Sequence, residues 1–385
     1  MTTQHRRILV VGPPLVDSDR ASGGGTGGYT RNMSVYLATL GGDDLELAPF
    51  YHSVRGQHGM VASTLVVRMF RDTSAFLWTV FTERPDAVHI LAQYRSALAR
   101  EFAQVMICRA LRVPVGYDVK AGAFATSVAN GTVFYRTLLR RLVAATDLLF
   151  AEGHETQRVL RDDFGREALF FPNFVPDDEI PVQVAERLQS ASVRLLFVGY
   201  AYRGKGIFEL VEGARHAARA GMSLELTIIG AEDVEFSTWV NSLPPQEGLV
   251  LHRRGKRPHS DVLAAMETAD VYVFPTSHPG EGHSNSINEA MMHGLVILTS
   301  RAGFLGDVLD CGAAYFLDRV DPGEIAAKLQ DIAAHRDAAR CASRAARTKL
   351  LEEFTETVAR ARFSEAYKQL LNVGNDKTAS NPDGE

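Results

Sequence analysis

Three cysteines in 385 residues, Cys108, Cys311 and Cys341, are too few and too scattered for a disulfide framework or a zinc-type ligand spacing. They read as reduced thiols of a non-oxidising compartment. No apolar run reaches the ~18 residues that a membrane span needs. The apolar stretch in MTTQHRRILVVG is too brief for a signal-peptide core. Repeats at solenoid period are absent. Charge of one sign is also lacking: 41 Lys and Arg stand against 46 Asp and Glu, a net −5, which excludes a non-specific nucleic-acid binder. The expectation is a soluble cytoplasmic chain with no nucleic-acid partner.

The hydrophobic fraction, 46%, and the charged fraction, 23%, are those of a globular protein. The length suits two domains better than one. Charge is uneven between the halves. Residues 1–175 hold 19 basic and 16 acidic side chains, net +3, and the remainder 22 and 30, net −8.

Two stretches, RILVVG ending at Gly12 and VRLLFVG at 193–199, look like first strands of parallel α/β units, each followed by a loop and a helical pattern at 27–40 and 206–219. Further strands are expected at 45–51, 87–91, 113–119, 148–153 and 168–173, then at 223–230, 248–255, 271–275, 295–300 and 313–317. Strand–helix alternation, twice over, predicts two doubly wound parallel sheets. NFVPDDEIPVQ carries two prolines and three acids and marks a boundary. The expected domains are 1–177 and 178–354, with a helix at about 355–371 packing back on the first and a frayed tail at 373–385. Ligands of open α/β sheets bind at the carboxyl ends of strands, so the site is expected there, in a cleft between the two sheets.

SGGGTGGYTR at 22–31 spells G-x-G-x-x-G through Gly23, Gly25 and Gly28, but the first of these lies eleven residues beyond Gly12, whereas a dinucleotide turn follows its strand at once. Gly27 and Gly28 lead into a helix whose first amides could meet an anionic group, or they belong to a loop that binds nothing.

The most informative segment is PTSHPGEGHSNSINEAMMHGLVILTSRAG, 275–303. A strand closes at Pro275, a polar loop carries Glu281, and a helix begins near Ser284–Ser286 with Glu289 in its first turns. Amides of Ser284, Asn285 and Ser286 can receive a phosphate at the positive end of the helix dipole. The two carboxylates can accept hydrogen bonds from sugar or ribose hydroxyls. Taken singly, Glu289 could simply complete a capping box with Ser286, and Glu281 could be a solvated turn residue.

This arrangement resembles the E-x7-E region of retaining glycosyltransferases of family 4, which have the GT-B fold of two Rossmann-like doubly wound domains facing across a cleft. VRLLFVGYAYRGKGIFELVEGARHAA, 193–218, resembles the family's strand, loop and helix whose lysine binds the donor diphosphate. Gly255 matches the glycine before the base-contacting loop, DVYVFP the strand entering the donor site, FPNFVP the hinge, and SGGGTGGYTRNMSVYLATL the first N-terminal loop and helix. The resemblance implies that Glu281 binds donor-sugar hydroxyls, that Glu289 binds the ribose, and that amides of Ser284–Ser286 receive the diphosphate. Lys205 would neutralise the leaving group. It implies a nucleoside-diphosphate sugar as donor substrate, no cofactor and, with helix dipole and Lys205 available, no metal.

The chain departs from the family in two places. Tyr200 stands where an arginine usually follows the loop glycine, with Arg203 as the alternative guanidinium. The place of the family's N-terminal histidine holds Lys120, with His89 at another strand end as the other acceptor-side candidate. The acceptor is a glycan, a lipid-linked molecule or a small hydroxyl compound. Segments 63–81 and 132–149 combine arginines with apolar residues at helical spacing, either as helices packed on their own sheet with arginines in water or as a peripheral membrane contact. The competing functions are an NAD-dependent oxidoreductase using the 23–28 glycines, an inactive GT-B-like binding module, and a sugar-nucleotide epimerase.

Overall fold

The computed structural model describes residues 6–15, 26–42, 45–52, 62–92, 97–120, 122–310 and 312–379, with the backbone alone at 26–29, 62–66 and 373–379. These residues divide into two compact units. The first comprises residues up to 15, Gly28–Pro172 and the helix from Glu356, and the second comprises Asn173–Thr355.

In the first unit six strands form one parallel sheet: β1 (Arg6–Gly12), β2 (Leu45–Tyr51), β3 (Ala87–Ala92), β4 (Val115–Val119), β5 (Leu148–Ala151) and β6 (Leu169–Phe170). Their order is β2-β1-β3-β4-β5-β6. The second unit repeats the plan with β7 (Val193–Val198), β8 (Leu224–Ile229), β9 (Leu249–Arg253), β10 (Val271–Phe274), β11 (Val296–Ser300) and β12 (Tyr315–Leu317), ordered β12-β11-β10-β7-β8-β9. Every pairing is parallel. All twelve expected strands are present, and the architecture is the two-domain α/β GT-B fold. The interior strands β3, β4, β10 and β11 are buried along their whole length because helices cover both faces. The edge strands β2 and β9 instead mix buried or partly buried with exposed positions.

Two expectations need correction. His89 does not sit at a strand end: it is the third of six residues in β3, between Val10 and Gly116 in register. In that wholly buried position its Nδ1 is within hydrogen-bond distance of the Tyr367 hydroxyl, and its Nε2 lies 3.5 Å from Asp118 Oδ2. Nor does the last helix end near residue 371: it spans Glu356–Ala379, and 380–385 lie outside the described residues.

The first unit also carries a pH-sensitive packing contact. His52, directly after β2, is buried against the Phe50 ring, and its Nε2 lies 3.1 Å from Gln104 Nε2. Burial, reinforced by the nearby Arg100 charge, pushes its pKa down to about 3. The unfolded chain takes up the proton first, near pH 6.5, so the stabilising contribution is complete above 6.5 and is lost as pH falls towards 3. Between pH 7 and 5 the wild type should lose roughly 2 kcal/mol through this residue. Urea unfolding of His52→Gln should show a shallower pH slope, and an unchanged slope would refute the assignment.

Candidate active site

In the second sheet the strand order reverses between β7 and β10, and the loops leaving these two strands meet there, as ligand-binding loops of open sheets do. The first is the short 3₁₀ turn Arg203–Lys205, closed by Gly206 in the left-handed region (φ +67°), where an added Cβ would collide with the Pro275 carbonyl. Only glycine allows the two loops to approach so closely. The Gly204 carbonyl then accepts hydrogen bonds from the Ser277 amide at 3.1 Å and the Thr276 hydroxyl at 3.3 Å.

This zipper brings Lys205 onto Glu281. Lys205 Nζ donates to Glu281 Oε2 at 2.5 Å, and Thr276 Oγ1 donates to the same oxygen at 3.2 Å. Lys205 also lies 5.0 Å from the centre of the Phe274 ring. Glu281 is buried, so it is not a solvated turn residue. Burial and then the Glu281 charge raise the pKa of nearby Tyr202. Residues 205 and 281 are therefore one largely buried charge-assisted pair, and Thr276, which the sequence did not single out, holds the carboxylate in place.

Three residues beyond Glu281, Ser284 caps the helix Asn285–Met292 with extended backbone. The first amides of any helix precede its hydrogen-bonded ladder, so those near Ser284–Ser286 point out of the helix start. Tyr272 of β10 reaches Ser286 Oγ at 2.7 Å, and Ser286 Oγ lies 2.9 Å from Ser284 Oγ. The capping-box reading of Glu289 does not hold. A box joins the cap residue to the third helical position; with the cap at Ser284 that partner is Ile287, and Glu289 falls two residues deeper. Glu289 is 2% exposed, and helix capping does not account for its burial.

The loop is anchored from behind. His283 Nε2 lies 2.8 Å from Asn288 Oδ1, Asn288 Nδ2 donates to the Asn173 carbonyl at 3.0 Å, and Asn173 Nδ2 donates to the His283 carbonyl at 2.5 Å. The Val175 amide donates to the Phe354 carbonyl at 3.0 Å, and the Phe354 ring packs edge-on against His283. All of these groups are buried. The sequence signals one of them: Asn288 is a polar residue among the apolar positions of the helix Asn285–Met292.

Arg203 is not brought to the Lys205–Glu281 pair. Its guanidinium pairs with Glu235 and lies 4.2 Å from the centre of the Phe208 ring. Tyr200 packs against Tyr202. A cavity of about 590 Å³ opens where β8 and β9 end, lined by Gly230, Glu232, Asp233, Arg253 and Gly255. Arg253 is fixed there by Glu232 and Ser237. Another, of about 570 Å³, lies between β7–β9 and the helix His259–Thr268 and contains none of the candidate residues.

In the first unit Lys120 does follow the end of β4, and only 4% of it is exposed. Its Nζ donates to the Phe171 carbonyl at 2.5 Å and stands 3.7 Å from Asp118 Oδ2. That same carboxylate oxygen accepts the Tyr36 hydroxyl at 3.0 Å and lies 3.5 Å from His89 Nε2, while His89 Nδ1 lies 3.0 Å from the Tyr367 hydroxyl. Lys120 and His89, expected as alternatives, thus share one buried carboxylate, Asp118. Burial, and then the Asp118 charge, raises the pKa of both Tyr36 and Tyr367. Gly27 and Gly28 open the helix Thr26–Thr39, whereas Gly23–Gly25 lie outside the described residues.

Residues 192–335, the segment holding Lys205, Glu281 and Glu289, match the family described as glycosyl transferases group 1. The capsular polysaccharide biosynthesis glycosyltransferase CapM of Staphylococcus aureus is 21% identical over 323 residues, 78% of this chain and 81% of that protein. Among solved structures, sucrose-phosphate synthase from Thermosynechococcus elongatus superposes with a TM-score of 0.71 at 15% identity, covering 96% of this chain and all of that one. Anabaena HepE in complex with UDP-glucose superposes with a TM-score of 0.65 at 12% identity, covering 95% and 100%. The sequence matches support a glycosyltransferase, and the superpositions support the GT-B fold.

Proposed function

We propose that the protein is a retaining glycosyltransferase of family 4 that moves a sugar from a nucleoside-diphosphate sugar to an acceptor hydroxyl. The observation that carries the reading is the contact of Lys205 with Glu281 at the sheet's switch point, just ahead of the helix start at Ser284. A diphosphate set at that helix start meets the first amides of the helix, the positive end of the dipole and one ammonium group. Its charge grows as the bond from the anomeric carbon to the phosphate oxygen breaks, and fixed donors lower that barrier. Glu281 holds hydroxyls of the sugar. Glu289 holds those of the ribose. The acceptor oxygen bonds to the anomeric carbon on the face the diphosphate leaves, and its proton passes to the departing phosphate oxygen. HepE was solved with UDP-glucose, so a uridine nucleotide sugar is the first donor to try.

Lys205 and the helix start supply the positive charge that a metal otherwise would, so transfer should survive a chelator. The sequence contains one D-x-D spelling, Asp17-Ser18-Asp19, outside the described residues; activity abolished by EDTA and restored by Mg²⁺ or Mn²⁺ would overturn metal independence. The oxidoreductase alternative loses ground because β2 ends on Tyr51, and its one acid, Glu46, is its second residue, far from a ribose at the strand end.

Thermal unfolding in the presence of UDP, GDP, ADP, TDP or NAD tests the whole reading. Saturation at ~100 times the dissociation constant adds about 2.7 kcal/mol, a rise of roughly 5–10 °C for a unit of this size. One nucleoside diphosphate should stabilise the wild type, and Glu289→Ala should lose most of that shift. Stabilisation by NAD alone would overturn the transferase reading, and full nucleotide affinity in Glu289→Ala would remove the ribose role.

A further inference from the structure

The helix Ala62–Glu83 carries two apolar faces, and among the described residues only one is buried. Phe76 and Val80 are sealed into the core of the first unit. Val67, Phe70, Leu77, Trp78 and Phe81 are exposed, Phe70 by 75%, Trp78 by 69% and Phe81 by 57%. At 3.6 residues per turn these five occupy one continuous arc of roughly 100°, with Arg71 at its border. The expectation that this helix merely packs on its sheet accounts for the inner face alone.

The exposed arc belongs to a wider layer. The helix Leu98–Ala110 packs beside Ala62–Glu83, and the helix Val133–Ala145 packs beside Leu98–Ala110. That third helix begins with Val133 and Phe134, the latter 77% exposed, and presents Arg136, Arg140 and Arg141 to solvent. Asp72 pairs with Arg71 at 4.0 Å and Arg100 at 3.6 Å, Glu83 with Arg7 and Asp147 with Arg109, so none of these acids is paired with Arg136, Arg140 or Arg141.

We propose that this layer is a docking surface for an anionic lipid bilayer, with the outer face of Ala62–Glu83 lying in the interface. Large aromatic side chains flanked by arginines are what a helix parallel to such a surface requires, since the rings enter the acyl boundary and the guanidinium groups meet lipid phosphates. A second copy of the chain is the poorer occupant, because symmetrical pairing would set arginines against arginines. Among the described residues no helix is long and apolar enough to cross a membrane, and this one is held down by Phe76 and Val80, so it lies on the surface rather than spanning it. Combined with the transferase reading, on which this one step rests, the surface makes the acceptor a lipid-anchored molecule.

The test needs no substrate, so its failure leaves the transferase reading untouched. The full chain is sedimented with vesicles of phosphatidylcholine alone or with added phosphatidylglycerol. The wild type should bind the anionic vesicles at least ~10-fold more tightly, with affinity falling as salt rises. Trp78→Ser with Phe81→Ser should weaken binding ~10-fold or more, and Arg136→Gln, Arg140→Gln and Arg141→Gln together ~100-fold. All five side chains point into solvent, so the variants should fold. The chain has two tryptophans, so in a Trp239→Phe background Trp78 emission should shift to the blue on anionic vesicles. No binding to anionic vesicles at low salt would overturn the proposal, as would binding that the Trp78/Phe81 variant leaves intact. A concentration-dependent dimer dispersed by that variant, with no vesicle binding, would make the face a self-association surface instead.

Discussion

Glu281→Gln should lower the rate of sugar transfer by roughly 10²–10³-fold, about 3–4 kcal/mol of transition-state stabilisation, while nucleotide affinity stays within a few-fold of wild type. The substitution is nearly isosteric, and the new amide oxygen can still accept from Lys205 and Thr276, which now hold the carboxylate. The loop itself depends on main-chain bonds. The Phe304 amide donates to the Glu281 carbonyl, and Gly303, at φ +56°, passes so close to that carbonyl that a Cβ could not fit. On the proposed transferase reading, what disappears is the negative charge that would stand beside the anomeric carbon and grip sugar hydroxyls. Steady-state rates with saturating donor, beside thermal shifts with the nucleoside diphosphate, separate the two effects. Transfer within a few-fold of wild type would leave Glu281 as a partner for Lys205 and no more.

Arg187→Leu should destabilise the second unit by about 3–5 kcal/mol, lowering its melting temperature by roughly 6–15 °C. The Arg187 side chain is buried and donates to four main-chain carbonyls: Glu267 at 2.7 Å, Ala269 at 2.8 Å, Gly294 at 3.3 Å, and His293. Burial presses its pKa down, and the neighbouring Asp270 opposes that shift. Two of the four carbonyls, at His293 and Gly294, end the helix that carries Glu289, where positive charge also favours the dipole. Leucine leaves all four acceptors dry and unpaired. Lysine restores the charge without the planar fork and should recover only part of the loss. Calorimetry on both variants decides the matter, and a Leu variant melting within ~2 °C of wild type would refute it.

Neither effect was equally visible beforehand. Glu281 stood out because strand, polar loop, acid and helix start follow each other within a few residues, and local order of that kind is written along the chain. The acceptors of Arg187 lie 80 to 107 residues away, and nothing near position 187 signals them. Arg203 was expected beside Lys205 on the strength of two residues' separation, yet its partner is Glu235. In a tight turn neighbouring side chains diverge, and the nearest carboxylate takes the guanidinium. His89 and Lys120 were set against each other as candidates, and only the pairing of β3 with β4 places both around Asp118.

The sequence alone determined the twelve strands, their parallel arrangement and the two-sheet plan, because strands buried on both faces are short, predominantly apolar runs that alternate with helical patterns. It also determined the loop and helix start of the candidate site, whose chemistry depends on backbone amides in a fixed local order. Tertiary structure decided the rest: that Lys205 touches Glu281, that Asn173, His283 and Asn288 brace the loop from behind, and that Val67, Phe70, Leu77, Trp78 and Phe81 of Ala62–Glu83 are exposed. Amphipathic spacing marks apolar faces, but whether a face is buried depends on which elements the fold sets against it, and those lie elsewhere in the chain.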